Sequence, residues 1–293
     1  MIITSGLSIF RDTLLTLSIM SKIISIHSYR GGTGKSNATA NLAAILACQG
    51  KRVAIVDTDL PSPGIHILFE LQDKHIKYTL NDFLWQKCKI NESAYDVTSV
   101  LGEQKTEKNL IYLVPASVQV SDISRILRQG FNTELLLEGI EELIQLLQLD
   151  YLFLDTHPGL NRETLLSLTI SNIVLLFLTP DEQDLRGTAV TLDVASRLKV
   201  PKLFLVVNKI VDRYNFGELR QQIESTHKIP IVGMMPDASD MLQLASKGLF
   251  VLKYPNHPIS LVLKQIAEQI DQQDSDYAPN DSCDLKPFIM ECV

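Results

Sequence analysis

Apolar runs of five or six residues alternate along this chain with longer stretches in which apolar positions recur every three or four. Residues 22–27, 52–56, 109–114, 151–155, 173–178, 202–207 and 231–235 read as buried strands, because they are continuously apolar rather than alternating. Helical spacing marks 37–49, 133–147, 187–198, 217–226, 237–247 and 258–272. Strands and helices that alternate this regularly predict an α/β fold, doubly wound, with a mostly parallel sheet, helices on both faces and right-handed crossovers. The stretch 71–108 breaks the rhythm, with mixed charge and the only tryptophan, Trp85, and is expected to be a helical excursion with loops.

The chemistry concentrates where the first strand meets the first helix, at Ser28-Tyr29-Arg30-Gly31-Gly32-Thr33-Gly34-Lys35-Ser36. Strand, glycine-rich turn and helix in that order form the context of a phosphate-binding loop. Residues without a Cβ let successive backbone N–H groups point into one concavity, and the helix that follows adds its positive N-terminal end. Gly31, Gly32, Thr33, Gly34, Lys35, Ser36 and Asn37 are therefore the expected nucleotide contacts. Lys35 would lie against the β- and γ-phosphates, and the Ser36 hydroxyl would ligate Mg²⁺.

Two later strands end in acids. The second runs into Asp57-Thr58-Asp59, whose carboxylates, two apart, share one side of the strand. Another, 151–154, delivers Asp155 ahead of Thr156-His157-Pro158-Gly159. At the carboxyl edge of a parallel sheet such acids can hold the water shell of a metal and orient an attacking water.

The loop resembles that of the MinD/ParA family of deviant Walker P-loop ATPases, which reads Lys-Gly-Gly-x-x-Lys-Ser/Thr, and the likeness extends over most of the chain. It implies ATP and Mg²⁺ as cofactors, Asp59 as the residue that positions water, Asp57 with Ser36 and Asp155 in the metal shell, and an Asp-x-x-Pro-Gly turn that responds to the γ-phosphate. Arg30 stands at the family's signature lysine, which reaches the partner's nucleotide in dimers; its charge is kept, but a planar fork replaces a compact ammonium. His157 stands where the family often carries proline and, taken alone, reads as a loop residue. By the same resemblance Asn208 approaches adenine, with Pro236 and Asp237 on its other side. A GTP-binding protein of this class would want Asn-Lys-x-Asp, whereas Asn208-Lys209-Ile210-Val211 lacks the acid and Asp212 comes one residue late, so ATP is favoured.

A net charge of −7 gives no global attraction to nucleic acid. Between residues 197 and 264, however, ten Lys/Arg face five Asp/Glu, a local 10 − 5 = +5 that leaves non-specific DNA open as a partner, although solvated helix faces explain it as well or better. Cys48, Cys88, Cys283 and Cys292 form no close pair, which argues against a disulfide framework or a metal-cluster carrier. Residues 1–19 are interrupted by Arg11 and Asp12 and read as an extension outside the core, neither signal peptide nor membrane span. The domain is expected to cover 20–272, with an acidic tail at 273–293 that lacks the basic amphipathic helix of a lipid anchor. The resemblance to the MinD/ParA family implies a cytoplasmic, ATP-hydrolysing switch that forms an ATP-dependent homodimer to position or partition a cargo, with an activator protein of unknown identity. A nucleotide-dependent binding module with little hydrolysis and a biosynthetic ligase on the same fold are the alternatives.

Overall fold

The computed structural model of the chain describes residues 21–244 and 247–273, so the extension expected at 1–19 and the tail from 274 onward lie outside the described residues. Among the described residues eight strands form one sheet: β1 (Lys22–His27), β2 (Arg52–Asp57), β3 (Tyr95–Asp96), β4 (Leu110–Val114), β5 (Tyr151–Asp155), β6 (Ile173–Leu178), β7 (Lys202–Ile210) and β8 (Ile231–Pro236). Their spatial order is β3-β4-β2-β5-β1-β6-β7-β8, with every neighbouring pair parallel except β3 with β4. The helices are α1 (Lys35–Cys48), α2 (Leu80–Leu84), α3 (Val120–Gln129), α4 (Thr133–Leu147), α5 (Arg162–Ile170), α6 (Glu182–Arg197), α7 (Phe216–His227), α8 (Ser239–Leu244), α9 (Phe250–Lys253) and α10 (Pro258–Gln272).

Although the strands are apolar throughout, the pleat still divides their side chains between two faces. Ile24 and Ile26 of β1, Val53 and Ile55 of β2 and Phe153 of β5 pack with α1 and α10. Ile23, Ala54, Val56, Leu152 and Leu154 join the opposite layer, built on α4. Helix α1 is buried nearly all round, and its alanines at 38, 40, 43, 44 and 47 let it lie close between the sheet and α10. Each of Leu42, Ile45 and Leu46 adds about 1.5–3 kcal/mol by leaving water. This burial fixes the start of α1, and with it the glycine loop, against the sheet edge.

Helix α10 is clasped to the opposite edge. The Lys22 ammonium donates to the carbonyls of Ile270 (3.2 Å) and Asp271 (2.9 Å), Lys51 pairs with the Asp271 carboxylate at 2.9 Å, and the Tyr151 hydroxyl donates to that carboxylate.

Apart from β3, the strands and α10 lie where the hydrophobic pattern puts them, with β7 running three residues further, to Ile210, and several other boundaries differ. The expected helical excursion at 71–108 is mostly 3₁₀ turns, with α2 started by a Thr79/Asp82 capping box and β3 added at the sheet edge. Helices α3 and α5 were not foreseen. Of α3 mainly Ile126 is buried, so no core stripe announces it, and α5 is short and begins on the Asn161 cap. Helix α6 starts five residues earlier than its apolar pattern, at Glu182, because the Asp181 carboxylate accepts the N–H groups of Gln183 and Asp184.

Candidate nucleotide-binding site

Strands β2, β5 and β1 are neighbours, so their carboxyl ends bring three loops together at the edge where the order of connections reverses. β1 leads into the glycine loop, β2 into Asp57–Gly64 and β5 into Thr156–Gly159. The last of these leans on the first: the Gly159 N–H donates to the Ser28 carbonyl at 3.0 Å.

Gly34 has a left-handed φ of 96° and caps α1 without any side-chain bond, which leaves the first N–H groups of the helix turned toward the loop. Lys35 follows at once and is buried, 7% exposed, with its ammonium donating to the Ser28 hydroxyl at 3.0 Å. Burial lowers its pKa, while Asp155, Asp59 and Asp184 act in the opposite sense. The Thr33 hydroxyl is buried with no hydrogen-bond partner among the described residues. A buried cation beside free helix N–H groups is a receptor for a phosphate chain.

Asp57 and Asp155 stand directly opposite each other in the β2–β5 register. Both are buried, and burial followed by mutual repulsion raises Asp57, while burial pushes Asp155 up to about 6 against the opposing bonds from Ser36 and Thr39. Two buried carboxylates beside a serine hydroxyl suit a divalent cation. Among the described residues no three acidic, histidine or cysteine side chains form a cage, so Mg²⁺ would be held by Ser36, one or both acids and the phosphates of its nucleotide. Asp59 is mostly buried and accepts from the His157 ring at 2.7 Å and the Ser62 N–H at 3.1 Å, both on Oδ1.

A family profile described as an AAA domain matches residues 21–202, more than half the chain and all three of these loops. The chain belongs to the MinD/ParA family of P-loop ATPases. Among its relatives are an uncharacterized ATP-binding protein of Methanocaldococcus jannaschii, 26% identical over 87% of this chain and 89% of the relative. The septum site-determining protein MinD of Synechocystis is 26% identical, covering 87% and 91% of the two chains. The solved MinD of Pyrococcus horikoshii, complexed with Mg-ADP, superimposes with a TM-score of 0.71 at 23% identity over 86% of this chain and 97% of that one, a likeness of fold.

Within this MinD/ParA fold most of the expected residues meet at one place. Gly31 to Asn37, Asp57, Asp59 and Asp155 gather at one edge. Asn208, at the end of β7, reaches the same loop and donates to the Thr33 carbonyl at 2.8 Å, close enough that a Cβ on Gly34 would come within 2.6 Å of its amide nitrogen. Pro236 closes β8 opposite Ile210, whose carbonyl accepts from the Asp237 N–H at 2.9 Å. Arg30 is turned within its own chain, onto Asp181 at 2.7 Å.

Sequence reasoning missed Ser28, Thr39, Asp181 and Asp184. Asp184 is buried on α6, accepts from the Thr179 N–H and hydroxyl, and contributes to the field at Lys35. The same helix abuts the loop at Gly187, where a Cβ would come within 1.9 Å of the Tyr29 ring. The signal was present in Thr179-Pro180-Asp181-Glu182-Gln183-Asp184, a cap and first-turn acids directly after a buried strand.

His27, at the end of β1, is fully buried and bonds through Nδ1 to the Thr156 hydroxyl at 2.8 Å, while its Nε2 has no hydrogen-bond partner among the described residues. Burial, then the nearby charges of Lys35 and His157, lowers its pKa from 6.5 to about 3. Between those values the unfolded chain binds a proton that the folded chain does not, so this residue's contribution is complete above pH 6.5 and is lost as pH falls toward 3. His27→Asn keeps a donor near Nδ1 and removes the titration. Going from pH 7.5 to 5, urea unfolding should show the variant gaining about 2 kcal/mol relative to the wild type.

Proposed function

We propose that the protein is an ATP-hydrolysing switch: it binds Mg²⁺-ATP in the loop around Lys35, dimerises in that state, engages a cargo and releases it on hydrolysis. The observation that carries this reading is the convergence of Lys35, the Asp57/Asp155 pair and Asp59 on three adjacent strand ends. Lys35 and the N–H groups of α1 hold the phosphates; Asp59 orients water for attack on the γ-phosphorus. Mg²⁺, when bound, neutralises charge on the β- and γ-oxygens. Asn208 and the Pro236–Asp237 turn flank the base in this reading. The location is cytoplasmic, in keeping with the lack, among the described residues, of a helix long and apolar enough to cross a membrane. The partner is a second copy of the chain, with an activator or cargo protein of unknown identity.

A weakly hydrolysing binding module is favoured by one observation, the engagement of Arg30 with Asp181 in cis. Both side chains are about half exposed, 46% and 53%, and such a pair contributes only about 0–1 kcal/mol. Release toward a partner's phosphates, with charge-assisted bonds to gain, is therefore inexpensive. Arg30→Ala should bind ATP almost normally, yet lose ATP-dependent dimerisation and most of its hydrolysis, while Arg30→Lys keeps the dimer. Sedimentation velocity with and without ATP, run beside turnover in the presence and absence of DNA and lipid, tests both readings. Unchanged dimerisation and turnover in Arg30→Ala would assign the side chain to Asp181 alone.

A further inference from the structure

The Asp59 carboxylate has an uneven environment. Its Oδ1 accepts two N–H groups, from the His157 ring at 2.7 Å and the Ser62 backbone at 3.1 Å, and its own backbone N–H donates to Asp57 Oδ1 at 3.2 Å. With Oδ1 engaged on both sides, Oδ2 is the oxygen turned to other use. His157 belongs to the loop after β5, whose Gly159 is bonded to the Ser28 carbonyl and whose Pro158 lies 3.8 Å from the Cβ position of Gly31. One imidazole thus joins the loop that carries Asp59 to the loop that rests on the phosphate-binding turn. A proline at that position has no donor and makes no such link.

We propose that His157 is a positioning residue for hydrolysis: its Nδ1–H holds Asp59 Oδ1, so that Oδ2 is presented to the attacking water and follows any shift of the β5 loop. The inference rests on the reading of Asp59 as the residue that orients water. Nothing in it requires His157 to touch nucleotide, so the effect belongs to kcat. A water displaced by about 1 Å costs roughly a hundredfold in rate, whereas the phosphate contacts of the loop are untouched.

The test compares wild type, His157→Ala, His157→Asn, Asp59→Ala and the double alanine variant in Mg²⁺-ATP turnover, with calorimetric ATP affinity alongside. His157→Ala should lower kcat by about ten- to a hundredfold with KM and affinity nearly unchanged. His157→Asn, whose amide N–H sits near the Nδ1 position, should recover most of that loss and also decides the matter if the alanine variant folds poorly. The double variant should turn over no more slowly than Asp59→Ala, because the histidine acts through the acid. Multiplicative losses, equal defects in the Ala and Asn variants, or a fall in affinity that accompanies the fall in kcat would each overturn the proposal. Full turnover in Asp59→Ala would remove the reading of Asp59 and the inference with it. Lost turnover in Asp59→Ala beside normal turnover in His157→Ala would remove the inference alone.

Discussion

Lys35→Ala should abolish ATP binding while leaving the protein folded. The ammonium is the buried cation of the glycine loop, held at 3.0 Å from the Ser28 hydroxyl and close enough to Asp155, Asp59 and Asp184 to feel all three charges. Two charge-assisted contacts, to the β- and γ-phosphates, are together worth at least about 3 kcal/mol, or roughly a hundredfold in affinity. Their loss is compounded because a phosphate chain would then face the acids around Lys35 without its buried cation, Arg30 being engaged with Asp181. The fold should tolerate the change, since Lys35 opens α1 and alanine is a better helix former, and truncation removes a charge that burial already disfavours. Isothermal calorimetry with Mg²⁺-ATP and a thermal melt without nucleotide check the two halves. Near wild-type affinity in a folded variant would remove the nucleotide-binding assignment for this edge of the sheet.

Asp59→Ala should have the opposite signature: ATP binding kept and turnover lost. Among the described residues the side chain has hydrogen bonds to the backbone of its own loop and to His157 and none to the glycine loop, which it reaches only through its charge at Lys35, so its removal should not weaken ground-state binding. A misplaced water acts on the transition state, and loss of a positioned acid or base lowers rates by about 10²–10⁴-fold. The ATP-bound dimer should then persist, visible as undiminished light scattering long after wild type has returned to monomer. Rapid turnover in this variant would shift the role to another group, Asp57 being the nearest acid on the same loop.

The parts of this picture that were legible in the chain are those in which local pattern and tertiary burial demand the same residues. The strands β1, β2, β5 and β6 sit in the middle of the sheet and must be apolar on both faces, so their runs stand out, and the acid that ends β2 or β5 is conspicuous for the same reason. The glycine loop is legible because few other turns require that spacing. By contrast α3 buries little beyond Ile126 and exposes Val120 and Leu127, so its periodicity has no core to report. β3 is two residues long and depends on pairing with β4. At the site, contacts made across long separations left no local trace: Arg30 with Asp181 spans 151 positions, Asn208 with Thr33 spans 175, and Asp59 with His157 spans 98. His157 read alone is one loop residue among many, and only the adjacency of β2 and β5 gives it a neighbour.

The clasp between α10 and the start of β1 has a mechanical consequence. Lys22, Tyr151 and Asp271 draw the first strand and the last helix together at the edge of the sheet remote from the glycine loop. Tension applied between residues 22 and 272 would load these few bonds first, while the loop, at the far end of β1 and behind the buried length of α1, is shielded from the pull. In an optical-tweezers experiment the helix α10 should peel away at low force, and a second, higher rip, in which the central strands part, should be the one that shifts upward when Mg²⁺-ATP is present.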